Sequence, residues 1–496
     1  MTTKTSVREY QNLINGSWEE AGSGKKIDRK SPATGELVAR FADGTKEDAQ
    51  KAIAAARHAF DFGPWPRMSG MNRARILLRF AEKVRGEIEK LAQMETEETG
   101  KPIRMARGDI DGCVGLIEYA AGLAQQMHGE SYTNLGDKHT AMVVREPIGV
   151  VGMITPWNFP AIIYSQKMPF ALAAGCTVVV KPSEFTSSTT LEISRLAEEA
   201  GVPAGVINVV TGYGAQVGQT LVDSPDIDFI SFTGSTATGQ RIIAGSAGTV
   251  KKTSVELGGK SANIVFADAD LDDAIDGTMF GVFFNNGQTC CAGTRLLIQD
   301  SVADAFIEKL IQRSQQLRVG NPLHEDTDIG ALIHDEHAAK VMGFIQAGQD
   351  QGAKLMTGGQ VVSEDCQTGC FVGPTIFDQV SQEMDIFQEE IFGPVLSITR
   401  FKTMEEAIEI ANNSRYGLAS AVWTKDLDKA LIVSREMKAG TVWVNTMIDG
   451  SPQLPFGGYK ASGFGREMGQ VGFDEFTVVK SINIHIGKRD PFYNVK

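Results

Sequence analysis

Short β-branched runs recur in the middle of the chain at 148–154, 177–181, 206–210, 228–232 and 253–257, with stretches of helical periodicity between them near 165–174, 187–200, 214–222 and 236–246. Alternation of this kind predicts a parallel sheet wound with helices, and ligands on such sheets bind beyond the carboxyl ends of the strands. Asn158, Lys181, Gly214, Ser235 and Glu256 each fall at or just past a strand end. The topology alone therefore gathers them on one edge. A second alternation starts after Lys260: a strand at 262–266, a helix over about 270–284, a strand at 295–299 and a helix over about 302–317, closing with a strand at 440–445. This predicts a second α/β domain, with the G-G-K turn at 258–260 as the boundary.

Ahead of the first block, residues 13–45 mix short apolar runs with N-G, A-G-S-G and S-P-A-T-G punctuation, which predicts strands and turns. Thr45 with Asp48 makes a variant capping box and opens a helix. From Asn72 to Glu97, the residues Ile76, Leu77, Phe80, Val84, Ile88 and Leu91 recur at three- and four-residue spacing. That pattern predicts one amphipathic helix, ended by Thr99-Gly100-Lys101-Pro102. A further helix is expected over roughly 106–127. The segments 131–147 and 476–486 read as strands belonging to neither sheet. The expected division is a first domain of 1–130 and 148–258, a second of 259–475, and an arm of 131–147 with 476–496.

Composition narrows the partners. A chain of 496 residues exceeds what one core serves, and 42% hydrophobic with 22% charged residues is globular. A net charge of -13 argues against nucleic acid or an anionic membrane surface, leaving small molecules and other copies of the chain. Six cysteines (Cys113, Cys176, Cys290, Cys291, Cys366 and Cys370) form no disulfide framework, which favours a reducing compartment. Cys366 and Cys370 have no second pair nearby and the seven histidines are scattered, so no metal site is expected. The N-terminus lacks an apolar leader core, and no apolar run approaches the ~18 residues of a membrane span. The cytoplasm is the expected address.

The candidate chemistry lies between Val255 and Arg295. An attacking cysteine must be a thiolate, and Glu256 with Gly-rich turns on both sides suits a site where water is activated beside a covalent intermediate. The other reading of the Cys290-Cys291 pair is packing. Gly212-x-Gly214-x-x-x-Gly218 misses the dinucleotide fingerprint. Gly234-x-x-x-x-Gly239 has P-loop spacing, but Gln240-Arg241 stands where a nucleotide-triphosphatase needs Lys-Ser/Thr. What survives is a strand followed by a helix N-terminus at Ser235, suited to one pyrophosphate.

E-L-G-G-K at 256–260 and G-Q-T-C at 287–290 resemble the glutamate and cysteine signatures of the NAD(P)-dependent aldehyde dehydrogenase superfamily. P-W-N-F-P (156–160), K-P-S-E (181–184), F-T-G-S (232–235), E-E-I-F-G-P (389–394) and P-F-G-G-Y-K (455–460) stand in family order, so the resemblance covers essentially the whole chain. It implies two doubly wound α/β domains, a Rossmann-like cofactor domain and a catalytic domain, plus a small β oligomerisation arm. The implied reaction is oxidation of an aldehyde to the carboxylic acid with NAD+, through a cysteine thiohemiacetal and thioester. The alternatives are a CoA-acylating semialdehyde dehydrogenase, a retired structural homologue, and ester or thioester hydrolysis without redox chemistry.

The resemblance also implies roles. Cys290 is the nucleophile, Glu256 the base of deacylation, and Asn158 with the Cys290 N–H the oxyanion hole. Lys167 and Glu467 match a proton relay, or else form an ordinary ion pair. Lys181 and Glu184 would bond the adenosine ribose, and Glu390 the nicotinamide ribose with Phe392 against the ring. Trp157, Gly214, Ser235 and Leu257 complete the cofactor positions, with a plain core tryptophan as the other reading of Trp157. Glu184 favours NAD over NADP. Phe159, Ile163, Gln166, Asp449 and Phe456 match substrate-pocket positions. Gln166 stands where members accepting quaternary or amino aldehydes often carry tryptophan, so no aromatic cage is expected. Asp109, Asp111 and Asp449 either favour a cationic aldehyde at the pocket mouth or are solvated surface. Cys291 either packs or sensitises the site to oxidation. A homodimer or homotetramer is expected.

Overall fold

Thr45 opens the first helix, Lys46–Asp61, as its sequence predicts: the Thr45 hydroxyl accepts from the Asp48 N–H, and the Asp48 carboxylate accepts from the Thr45 N–H at 2.8 Å. The amphipathic stretch after it is two helices, Gly70–Arg85 and Ile88–Thr99, not one. Gly86 closes the first of them with its N–H on the Glu82 and Val84 carbonyls, and Glu87 at φ -116° and ψ 13° leaves helical geometry. The apolar stripe runs on across the break because Leu77, Phe80, Val84 and Leu91 all enter the same core. Periodicity is therefore blind to it. Ile103–Leu123 is the next helix.

The computed structural model describes residues 7–362, 368–489 and 491–493, so Cys366, the first six residues and the last three lie outside the described residues. Two large sheets form the body. The first runs in the order Gly463–Phe464, Lys252–Glu256, Phe229–Thr233, Val150–Ile154, Thr177–Lys181, Ile207–Val209, Asn12–Ile14, Ser17–Glu19. Its five central strands are parallel and its flanking strands antiparallel. The second has the order Lys354–Thr357, Thr375–Asp378, Val395–Phe401, Arg295–Gln299, Ala262–Val265, Ala419–Trp423, Thr441–Val444, parallel except at its first strand. Central strands buried on both faces, such as Thr177–Lys181 and Ala419–Trp423, are near-continuous apolar runs, as parallel sheets require.

Three details depart from the sequence reading. The stretch expected as a helix over 214–222 starts with a π-turn, Gly214–Gly218, before the Gln219–Asp223 helix. Gly463–Phe464 pairs with Lys252–Glu256, so the second block gives one of its last segments back to the first sheet. A small sheet of Arg8–Tyr10, Leu37–Ala42 and Lys26–Lys30 stands apart from both large ones. The two strands expected outside the main sheets do pair with each other: His139–Pro147 runs antiparallel to Thr477–His485, with Glu130–Tyr132 on its other side. Among the described residues no helix is long and apolar enough to cross a membrane.

Candidate active site

The Leu271–Phe283 helix ends in a backbone reversal that no L-residue adopts cheaply: Asn285, Asn286 and Gly287 take φ of 51°, 59° and 75° in succession. Asparagine tolerates that conformation best among side-chain-bearing residues, and here both side chains are anchored. Asn286 donates its amide to the carbonyls of Gly100 (3.1 Å) and Ala331 (2.9 Å) and accepts from the Gly330 N–H (2.7 Å). Asn285 donates to the Asn158 and Gln288 carbonyls at 3.0 and 3.1 Å, and Asn158 donates to the same Gln288 carbonyl at 2.9 Å. A Cβ on Gly287 would lie 2.2 Å from the Gly393 carbonyl carbon, and one on Gly259 would lie 2.4 Å from the Cys290 carbonyl oxygen. Backbones meet at both points, which is why glycine stands in both signatures.

The reversal leaves Cys290 half-buried and sends Cys291 into the second domain's core at 6% exposure. Among the described residues nothing accepts from the Cys290 backbone N–H. The Cys290 thiol is pushed well above its usual range by its hydrogen bond with Cys291, by burial, and by the charges of Cys291, Glu390 and Glu256.

Glu256 ends its strand opposite Thr233 and Gly463. It is 4% exposed, and neither carboxylate oxygen has a hydrogen-bond partner among the described residues. Burial raises its pKa far above the carboxylate range, and the charge of Glu467 adds to this, while Lys167, Arg466 and the nearby Gly458 N–H oppose it. The Lys167 ammonium, fully buried, lies 2.5 Å from Glu467 and 2.9 Å from the Ser231 hydroxyl, which itself lies 3.2 Å from Glu467. Glu467 and Phe456 exchange both backbone hydrogen bonds at 2.8 Å, tying this ion pair to a position expected to line the substrate pocket.

Along the carboxyl edge of the first sheet, the buried Lys181 ammonium holds Glu184 at 3.0 Å. Ser235 caps the Thr236–Ser246 helix through the Thr238 N–H. Leu257 packs so closely on that helix that a Cβ on Gly239 would lie 2.5 Å from it. Glu390 accepts from the Gly259 N–H at 3.0 Å, and burial carries its pKa to about 7. Trp157 meets Phe392 edge-on, with ring centroids 5.3 Å apart. Residues 18–482 match the family model described as the aldehyde dehydrogenase family.

The chain belongs to the aldehyde dehydrogenase family. It is 46% identical to the betaine aldehyde dehydrogenase of Bacillus subtilis (strain 168) over 471 residues, which is 95% of this chain and 96% of the relative. It is similar to the crystal structure of an NAD-dependent aldehyde dehydrogenase from Sinorhizobium meliloti, with TM-score 0.96, 48% identity, and coverage of 98% of this chain and 96% of that one. A betaine aldehyde dehydrogenase from Staphylococcus aureus, solved in complex with NAD+, matches with the same TM-score at 39% identity, over 98% of this chain and 96% of that one.

As an aldehyde dehydrogenase the chain carries a donor set that fits a dinucleotide. An ammonium and a carboxylate stand at the end of the Thr177–Lys181 strand, a capped helix N-terminus follows the Phe229–Thr233 strand, and a second carboxylate lies near the half-buried thiol. On the pocket side, Phe159 stacks on Phe284 with centroids 5.8 Å apart. Ile163 is buried, Gln166 and Phe456 are half-buried, and Asp449 is exposed, with its carboxylate accepting from the Thr446 hydroxyl at 2.8 Å. Asp109 is neither at a pocket mouth nor solvated: it is buried, 2.5 Å from the Lys101 ammonium, which also holds Glu95 at 2.8 Å and lies 4.3 Å above the Phe159 ring. The sequence reading missed this cluster, along with the anchoring roles of Asn285, Asn286 and Gln288. Asn285 and Asn286 had one usable signal, the N-N-G tripeptide ahead of Gln288.

Proposed function

We propose that this chain oxidises an aldehyde to its carboxylic acid with NAD+, using Cys290 as nucleophile and Glu256 as base. The observation that carries this reading is the division of labour in the Cys290-Cys291 pair. One thiol is half-buried in a loop whose Cys290 N–H is unengaged and whose Gln288 carbonyl holds the Asn158 amide, and the other is core. The Cys290 proton passes to water, the thiolate sulfur bonds to the aldehyde carbon, the carbonyl π pair moves onto oxygen, and the negative charge that develops there meets the Asn158 amide and the Cys290 N–H. One such preorganised donor stabilises an oxyanion by roughly 3–4 kcal/mol. Lys181, Glu184 and Glu390 would hold NAD+, which would supply the hydride acceptor.

The thioester left on Cys290 is then hydrolysed. Glu256 takes a proton from water, the oxygen bonds to the acyl carbon, the carbon–sulfur bond breaks, and Cys290 leaves as thiolate. A carboxylate with a raised pKa is the stronger base for this step, and burial supplies the rise. Lys167, Ser231 and Glu467 are hydrogen-bonded to one another, and Lys167 and Glu467 act on Glu256 through their charges, without a hydrogen bond to its carboxylate among the described residues. Trp157, Gly214, Ser235, Leu257 and Phe392 line the cofactor edge, and Phe159, Ile163, Gln166, Asp449 and Phe456 surround the aldehyde. The protein works as a homo-oligomer in the cytoplasm. The support for assembly is the edge strand Thr477–His485, whose Val478 and Val479 are 40% and 60% exposed.

Following reduced cofactor by absorbance tests the assignment. Cys290→Ala is expected to abolish turnover. Cys291→Ala is expected to keep most of it and, by removing the hydrogen bond that raises the Cys290 pKa, to move the rise of activity with pH to lower pH. Reversed effects of the two substitutions would overturn it.

A further inference from the structure

The Asp335–Asp350 helix presents two histidines of its first turn to the cofactor edge of the other sheet. His334 is the cap, with its ring Nδ1 accepting from the His337 N–H at 3.1 Å, and its ring packs on Phe185, next in sequence to Glu184, with centroids 4.9 Å apart. His337, 8% exposed, packs edge-on against Trp157 with centroids 5.6 Å apart. Its Nε2 lies 2.8 Å from the Phe392 carbonyl oxygen. Phe392 itself sits at φ 62°, a left-handed conformation that a side-chain-bearing residue keeps only when its surroundings impose it. Two residues upstream is Glu390, the carboxylate on the Gly259 N–H.

We infer that His337 is a positioning residue for the nicotinamide half of the cofactor site: its Nε2–H bonds the Phe392 carbonyl and, with Trp157, locks the Glu389–Pro394 turn in the shape that aims Glu390 and Phe392. The inference rests on the cofactor reading given above. Burial lowers the His337 pKa to about 4 against the opposing hydrogen bond to the Phe392 carbonyl, with the Lys340 and His334 charges acting in the direction of burial, so near neutral pH the ring carries one proton. A carbonyl partner can only accept, which places that proton on Nε2. No other interaction of the Phe392 carbonyl competes for this role among the described residues.

Two variants and two measurements test it. Amide hydrogen exchange of the 389–394 segment in cofactor-free protein should be faster in His337→Ala than in wild type, and near wild type in His337→Gln, whose amide keeps a donor. NAD+ affinity measured by calorimetry without aldehyde should fall about tenfold in His337→Ala and recover to within about threefold in His337→Gln, with KM for the aldehyde unchanged. Unaltered exchange in His337→Ala, or a glutamine variant no better than the alanine one, overturns the inference. Failure of the wild type to bind NAD+ would instead sink the cofactor reading, and the exchange result would still stand or fall on its own.

Discussion

Glu256→Gln separates the two chemical steps and tests the burial argument at once. The side chain keeps its shape but loses its charge and its basicity. Hydride transfer precedes the step that needs the base, so stopped-flow absorbance should show a burst of reduced cofactor approaching one per active site. Turnover should then fall by about 10²–10⁴-fold, the usual worth of a general base. Stability should move the other way. Glu256 is 4% exposed with no partner for either oxygen, and its folded pKa lies well above the 4.5 of an exposed carboxyl. The folded state therefore binds the proton more tightly than the unfolded chain does. That contribution is fully present below pH 4.5 and is lost as pH rises through the folded value. As pH rises above 4.5 the unfolded wild-type chain ionises this carboxyl freely while burial in the folded state resists it, a cost that the glutamine variant does not bear. The variant should be more stable there by about 0.5–2 kcal/mol, the ordinary scale of an activity–stability trade, and its advantage should shrink toward pH 4.5. A variant that shows no burst refutes the role in deacylation. One whose thermal midpoint lies below wild type at pH 8 refutes the electrostatic account.

Glu184→Ser should narrow a preference for NAD over NADP of about one to three decades in catalytic efficiency, since like charges a few ångströms apart repel by roughly 1–4 kcal/mol; equal efficiencies in the wild type, or no gain for NADP in the variant, would remove Glu184 as discriminator. Light scattering should find a dimer or tetramer at assay concentration, and replacing exposed Val479 by lysine on the edge strand should shift the population toward smaller species; an active wild-type monomer would refute assembly through the arm.

The elements that build the candidate site were legible because short motifs carry them: a strand that ends in Glu256, a turn that demands glycines, a thiol after it. Alternation of strand and helix likewise set the two parallel sheets and put Lys181, Ser235 and Glu256 on one edge. What stayed hidden depends on contacts distant in sequence. The helix break at Gly86 leaves the apolar period intact, because both halves bury on one core. Asp109 reads as a surface acid until the Lys101 ammonium, eight residues earlier in sequence, is found beside it. His337 belongs to no motif, and its interest lies in a carbonyl 55 residues downstream and in the Trp157 ring far upstream.

The Asn286-Gly287 turn ties the protein's chemical ageing to its folding. In an open chain an Asn-Gly pair is a slow clock: the glycine nitrogen attacks the asparagine side-chain carbonyl, ammonia leaves, and the cyclic imide reopens to aspartate or isoaspartate. Here the amide nitrogen is spent on Gly100 and Ala331 and its oxygen on Gly330, so leaving group and electrophile are both held. The clock runs only in molecules whose loop has come undone, where chemical modification can outpace refolding. Each excursion then carries a chance of permanence. Isoaspartate lengthens the backbone by a methylene four residues before Cys290, in a turn where the Gly287 and Gly393 backbones already touch. A molecule marked in this way cannot rebuild its nucleophile loop, and the fraction so marked in an old preparation records how long it has spent unfolded.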